Sequence, residues 1–275
     1  MQNITSASNE KIKKIVLYTG KASARKEDGV FIAEGTKLVT EAPHDLVREI
    51  YISETCLDTL EKENGPLLKA FLDLRKDLYE DSIIKLPDHI FEKISGQKTP
   101  QGILAVLKSI GYKADQLWGN GESDPLILVL EDIQDPGNVG TIFRTAEAAG
   151  VTGIILSDKC ADPLGPKTVR STMGAIFRMP FLISKDLPGE VRKLEEDGIA
   201  CYAARLDGAL EYDICDFRKP CAILIGNEGK GLTDKVSKEA SNGVYIPMSG
   251  KTESLNAAVS ASILSYEARR QRNSL

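Results

Sequence analysis

Leu126-Ile127-Leu128-Val129-Leu130 is followed at once by Glu131-Asp132-Ile133-Gln134-Asp135-Pro136-Gly137-Asn138-Val139-Gly140-Thr141-Ile142-Phe143-Arg144. Five consecutive aliphatic residues without polar alternation read as a strand covered on both faces of its sheet. Asp-Pro-Gly-Asn makes a tight turn and a helix begins immediately, which puts Asn138 at the helix mouth. Similar apolar runs recur at 154–156, 199–204 and 222–225, separated by helical stretches. Gly150 and Gly198 each stand where a left-handed residue would close a helix. Residues 125–275 are therefore expected to form an α/β domain with a mostly parallel sheet.

Upstream, the segment around 109–124 is dense in turn formers and poor in apolar period, and it reads as a linker fastened by the single tryptophan, Trp118. Residues 1–108 read as a second, smaller α/β domain. The spacing predicts a short basic helix over 11–17, strands at 30–33, 50–52, 83–86 and 103–107, a helix start at 36–41, and one helical stretch over 57–78.

The chain has 275 residues and a net charge of -5, with 42% hydrophobic and 27% charged residues. That length suits two modest domains. No run of about 18 apolar residues occurs and no secretory signal opens the chain, so a cytoplasmic protein without membrane contact is expected. Cys56, Cys160, Cys201, Cys215 and Cys221 form no C-x-x-C pair, and neither His44 nor His89 stands in a pattern that suggests a ligand cluster or a nucleophile's base. Buried free thiols are expected, with neither a disulfide framework nor a metal site.

An acidic total does not exclude nucleic acid, because phosphate binding rests on local clusters of lysine and arginine. Residues 1–26 hold Lys11, Lys13, Lys14, Lys21, Arg25 and Lys26 against the single acid Glu10. This cluster is either a solvated helix face or an RNA contact.

In open α/β sheets ligands collect at the carboxyl ends of strands, and three such places stand out. In the first, Asn138 and Arg144 are about 9 Å apart along a helix axis at 1.5 Å per residue, close enough to reach one ligand. Asparagine offers a donor and an acceptor, and arginine a planar fork for phosphate. Alternatively Asn138 only caps the helix, while Arg144 pairs with Glu147 or Glu131. The second place is Gly226-Asn227-Glu228-Gly229-Lys230-Gly231, where glycines let a ligand approach the backbone. It satisfies neither the dinucleotide pattern nor the phosphate-loop pattern. The third is Ile246-Pro247-Met248 through Ser254-Leu255-Asn256, a polar loop before a long helix for which Ser254 is the expected N-cap. Leu255, Val259, Ile263 and Tyr266 recur at helical spacing, as core or dimer packing would require.

Taken in this order, Asp135-Pro136-Gly137-Asn138-Val139-Gly140 through Arg144, the 226–231 loop, and 246–248 through Ser254-Leu255-Asn256-Ala257 resemble the three motifs of the SpoU/TrmH methyltransferases of the SPOUT superfamily. Residues 4–107, in Phe31-Ile32-Ala33-Glu34-Gly35 and in 100–106, are similar to the ribosomal-protein-like RNA-binding domain attached to ribosomal-RNA members. The resemblance implies a trefoil knot in the C-terminal domain, a homodimer, and S-adenosylmethionine as cofactor, with S-adenosylhomocysteine as product and no metal. It implies cofactor contacts at Gly226, Ile246 and Leu255, with Asn227, Met248 and Asn256 nearby. Arg144 matches the residue that activates the ribose hydroxyl, and Asn138, Glu228, Ser254 and Asn256 match positions that orient substrate or cofactor. RNA contacts are expected at Lys11, Lys13, Lys14, Arg25 and Lys26. The expected reaction is 2'-O-methylation of RNA, with 23S ribosomal RNA as substrate. The alternatives are a transfer-RNA ribose methyltransferase and a non-catalytic RNA-binding or ribosome-assembly protein.

Overall fold

In a computed structural model of the chain, residues 1–119 and 124–273 are described, so residues 120–123 of the expected linker lie outside the described residues. In chain order the strands are β1 (Gln2–Asn3), β2 (Val30–Glu34), β3 (Val47–Ser53), β4 (Ile83–Leu86), β5 (Ile103–Lys108), β6 (Leu126–Leu130), β7 (Gly153–Ser157), β8 (Phe181–Ser184), β9 (Ala200–Ala204), β10 (Leu210–Glu211), β11 (Cys221–Ile225) and β12 (Asn242–Tyr245). The helices are α1 (Glu10–Gly20), α2 (Ala22–Asp28), α3 (Thr36–Thr40), α4 (Glu54–Glu63), α5 (Pro66–Lys76), α6 (Asp88–Ile94), α7 (Pro136–Ala149), α8 (Pro166–Thr172), α9 (Leu187–Glu196), α10 (Asp234–Ser237) and α11 (Ala257–Arg272). The chain divides into two compact units, one of Met1–Ile110 with Asp162–Phe177, the other of Gly111–Ala161 with Arg178–Leu275.

The first unit is built on a five-stranded mixed sheet in the order β1-β4-β3-β5-β2. Asn9 caps α1 by accepting from the Lys11 N–H at 2.9 Å. Ile12, Ile15 and Tyr18, one turn apart, then bury the inner face of α1 against Tyr51, Ile84, Leu104 and Val106 of the sheet. The expected single helix over 57–78 is instead two, α4 and α5. Asn64 takes a left-handed conformation at φ 44°, and Pro66 starts the second helix at a position where its missing N–H costs nothing. The 162–177 excursion also belongs to this unit. In it α8 packs on β2, and the Phe177 ring lies 6.4 Å from that of Phe31.

The second unit carries a seven-stranded sheet in the order β10-β12-β9-β11-β6-β7-β8, parallel at every pairing. Parallel neighbours need crossovers, and α7 joins β6 to β7 while α9 joins β8 to β9. Strands β6, β7 and β11 are buried at every residue, as their unbroken apolar runs require. Gly150 and Gly198 take φ 80° and 82°. Leu117 is buried in the core beside Ile127 and Ile155, and Trp118 packs on the same cluster.

Helix α11 departs from expectation at its start. It starts at Ala257, and its N-cap is Asn256 rather than Ser254, because the Asn256 Oδ1 accepts from the Ala258 and Val259 N–H groups at 2.9 and 3.4 Å. Its buried face is the small one, Ala257, Ala258, Ala261, Leu264, Ser265 and Ala268, which allows close packing on α7. The large apolar stripe is turned outward, with Val259 45% and Tyr266 48% exposed.

Candidate active site

Strands β6 and β11 run side by side in register, Leu130 opposite Ile225, and the Glu131 N–H extends the ladder to the Ile225 carbonyl at 2.9 Å. The first and second loops therefore leave the sheet together. Asp135 caps α7 by accepting from the Asn138 N–H at 3.0 Å, so capping does not occupy the Asn138 side chain. Its Nδ2 donates to Glu228 Oε1 at 2.8 Å, and its Oδ1 accepts from Asn256 Nδ2 at 3.1 Å. Asn138, Glu228 and Asn256, one from each loop, thus form a single hydrogen-bonded chain.

The glycine loop is anchored at both ends. At its start the Asn227 Nδ2 donates to the Asp132 carbonyl at 2.8 Å, and its Oδ1 accepts from the Gly229 and Lys230 N–H groups. Asn227 is thus engaged in holding its own loop. At its end, the buried Glu131 carboxylate accepts from the Thr233 N–H at 2.7 Å and from the Thr233 hydroxyl at 2.6 Å. Between them, Gly226 faces the opposite limb of the loop so closely that a Cβ would sit 2.1 Å from the Gly231 carbonyl carbon. No other residue type fits there without displacing Gly231. Asp132 turns the chain in a left-handed conformation at φ 55°, and its N–H donates to Ser157 Oγ while its carboxylate accepts from the same hydroxyl. Glu131, Asp132, Ser157 and Thr233 are unmarked in the sequence, because ordinary polar residues in loops give no spacing signal.

Gly231 lines a cavity of about 260 Å³ together with Ile246, Met248, Ser254 and Leu255. Its apolar walls also include Leu206, Val244 and Leu264; Arg205 is its one cation and Glu253 its one carboxylate. Gly226 does not line it, but bears on it through Gly231. Larger clefts, about 430 and 460 Å³ in the first unit and about 480 Å³ beside Trp118 and Pro125 in the second, gather no strand-end residue of the three loops.

Arg144 lies exposed on α7, and among the described residues no hydrogen bond or ion pair engages it. The two partners considered for it are otherwise employed. Glu147 pairs with Arg178, and Glu131 holds Thr233.

In the first unit, Lys11 pairs with Glu49, Lys13 with Glu10 and Lys14 with Asp28, all through partly exposed side chains. Lys26 is exposed. Arg25 corrects the sequence reading, being only 6% exposed. Its guanidinium donates to the Tyr18 carbonyl at 2.8 Å and to the Asp162 carboxylate at 2.7 Å, which turns it into the unit and away from any surface ligand.

Residues 125–266 match the SpoU rRNA Methylase family, and residues 9–105 match the MRM3-like substrate binding domain. The chain is 32% identical to the 23S rRNA (guanosine(2553)-2'-O)-methyltransferase RlmP of Bacillus subtilis over 98% of its own length and 100% of that protein. It is 31% identical to the 23S rRNA (uridine(2479)-2'-O)-methyltransferase of Streptomyces viridochromogenes over 98% and 93% of the two chains. The crystal structure of an AdoMet-bound rRNA methyltransferase from Sinorhizobium meliloti superposes with a TM-score of 0.81 at 26% identity, covering 98% of this chain and 97% of that one. With three strand-end loops bonded to one another beside a cavity and these full-length likenesses, the chain belongs to the SpoU rRNA methylase family and is an S-adenosylmethionine-dependent RNA 2'-O-methyltransferase.

Proposed function

We propose that this enzyme methylates a ribose 2'-hydroxyl of 23S ribosomal RNA, with the cavity beside Gly231 holding the cofactor and Arg144 handling the sugar oxygen. The observation that carries the reading is the Asn138–Glu228–Asn256 chain of hydrogen bonds, which ties all three loops together while leaving Arg144 free. The cavity suits the cofactor chemically. Apolar walls at Ile246, Met248 and Leu255 fit an adenine, and the end of β12 presents main-chain groups at its edge.

Bound there, the cofactor supplies an electrophilic sulfonium methyl for an in-line displacement. The chain's own tasks are alignment, water exclusion and help with the hydroxyl proton. A guanidinium with a pKa above about 12 is a poor base at neutral pH. Arg144 therefore orients the 2'-oxygen and stabilises the negative charge that develops on it, and the proton passes to a substrate phosphate or to water. Asn138, Glu228 and Asn256 fix the loops around that point, and Ser254, in the cavity wall, helps to orient substrate or cofactor.

RNA binding falls to Lys11, Lys13, Lys14 and Lys26. Exposed ion pairs like theirs are worth little and exchange readily for phosphate. The outward stripe of Val259 and Tyr266 on α11 supports a homodimer closed over that face, which equilibrium sedimentation of the purified protein tests. A traced crystal structure tests the knotted threading that the resemblance implies.

The test uses purified protein, labelled cofactor and total RNA from a strain lacking the enzyme. The wild type is expected to methylate the ribose of one nucleotide in 23S ribosomal RNA. Arg144→Ala and Arg144→Lys are both expected to abolish turnover while still binding cofactor. Near-normal activity of the lysine variant removes the requirement for guanidinium geometry, and label confined to transfer RNA overturns the substrate.

A further inference from the structure

The cofactor cavity contains one cation, and the resemblance assigns it no role. Arg205 follows β9 directly, and its N–H donates to the Val244 carbonyl of β12 at 3.1 Å, which fixes its backbone at the strand ends. Its side chain packs on Gly243, where a Cβ would lie 2.7 Å from the Arg205 Nε. Position 243 has no room for a side chain while the arginine lies there. The only hydrogen bond to the guanidinium among the described residues is a long one, Nη1 to Ser237 Oγ at 3.4 Å. Among the described residues the buried Nε has no partner and no carboxylate pairs with the group.

A buried guanidinium donor without a partner is costly, and arginine ordinarily meets a carboxylate or phosphate through two parallel bonds. Here the group stands in the wall of a cavity whose only other formal charge is Glu253. One cation and one anion among apolar residues complement a zwitterion with an apolar body. The amino-acid end of S-adenosylmethionine is such a zwitterion, with an α-carboxylate and an α-ammonium.

We propose that Arg205 is a cofactor-binding residue that recognises the α-carboxylate, so that the cavity selects for the intact amino-acid end of its ligand. This rests on the cavity being the cofactor site. The bare backbone of Gly243 makes room for the Arg205 side chain, which any larger residue at 243 would displace.

The test is calorimetry with two ligands on the full-length protein. S-adenosylhomocysteine carries the carboxylate, and 5'-methylthioadenosine has the same nucleoside and sulfur without it. Arg205→Gln is expected to weaken S-adenosylhomocysteine by about tenfold or more, the loss of one charge-assisted pair, and to leave methylthioadenosine within about twofold of wild type. Arg205→Lys, which keeps the charge but loses the fork, is expected to fall between the two. Equal weakening of both ligands, or of neither, overturns the proposal. If the wild type binds neither ligand, the cavity assignment fails instead. Should Arg205→Gln not fold, the wild-type preference for S-adenosylhomocysteine over methylthioadenosine decides the matter, since a carboxylate site requires it and its absence refutes it.

Discussion

Glu131→Ala probes the end of the glycine loop with the fewest alternative supports. The carboxylate is 7% exposed and accepts two bonds from one residue, the Thr233 N–H at 2.7 Å and its hydroxyl at 2.6 Å. Hydrogen bonds to a charged group contribute roughly 1.5–3 kcal/mol each, which bounds the pair at about 3–6 kcal/mol. Thr233 stands at the start of α10, and its N–H and hydroxyl regain part of this from water once the carboxylate is gone. A loss of about 3 kcal/mol in unfolding free energy follows. Glu131→Gln keeps one acceptor and is expected to lose about half of that. Thr233→Val removes the hydroxyl alone, so a cycle with Glu131→Ala isolates that arm at about 1.5 kcal/mol of coupling. Urea unfolding of the four proteins measures it, and S-adenosylhomocysteine titration should show weaker binding in step, because Gly231 lines the cavity. Additivity within about 0.5 kcal/mol, or unchanged ligand affinity in Glu131→Ala, refutes the reasoning.

Two further outcomes follow. Arg272, at the end of α11, donates to four carbonyls, those of Phe217, Asp124, Pro125 and Lys219, at 2.5–2.9 Å. Counting only the two part-buried bonds, Arg272→Ala is expected to cost about 3 kcal/mol and lower the melting temperature by roughly 6–12 °C, whereas a shift under about 2 °C contradicts this. Burial pushes the Cys56 and Cys221 thiols up to about 11, so both are protonated at pH 8, and their alkylation in the native protein should be roughly a hundredfold slower than in urea. Reaction at the unfolded rate would show that these sites open freely.

The parallel sheet of the second unit was legible because its central strands are buried on both sides, and a strand such as Leu126–Leu130 then has no polar positions to blur the pattern. Gly150 and Gly198 were legible for a different reason, since a left-handed helix end admits few residues. In helix α11 the apolar spacing left core packing and dimer packing both open. Close packing against α7 selects alanine and serine for the buried side, and leaves Val259 and Tyr266 outside. Ser254 lost the cap to Asn256 for a similarly local reason. Both are good caps, and only the path of the loop decides which side-chain oxygen meets the first helical N–H groups.

Within the site, glycines and the Asn138–Arg144 spacing could be read, but the supports could not. The Glu131–Thr233 pair spans 102 residues, and the Asn227 bond to Asp132 spans 95. Arg25 was misjudged for the same reason, because its partner Asp162 is 137 residues away and no charge count near the N-terminus reveals it.

Co-crystallisation with S-adenosylhomocysteine addresses the central claim most directly. The account predicts the adenine between Ile246, Met248 and Leu255, main-chain contacts at Gly231 and the end of β12, and the sulfur facing the Asn138–Glu228–Asn256 cluster. Ligand density in either cleft of the first unit, or a cavity beside Gly231 that stays empty at saturating ligand, would contradict it.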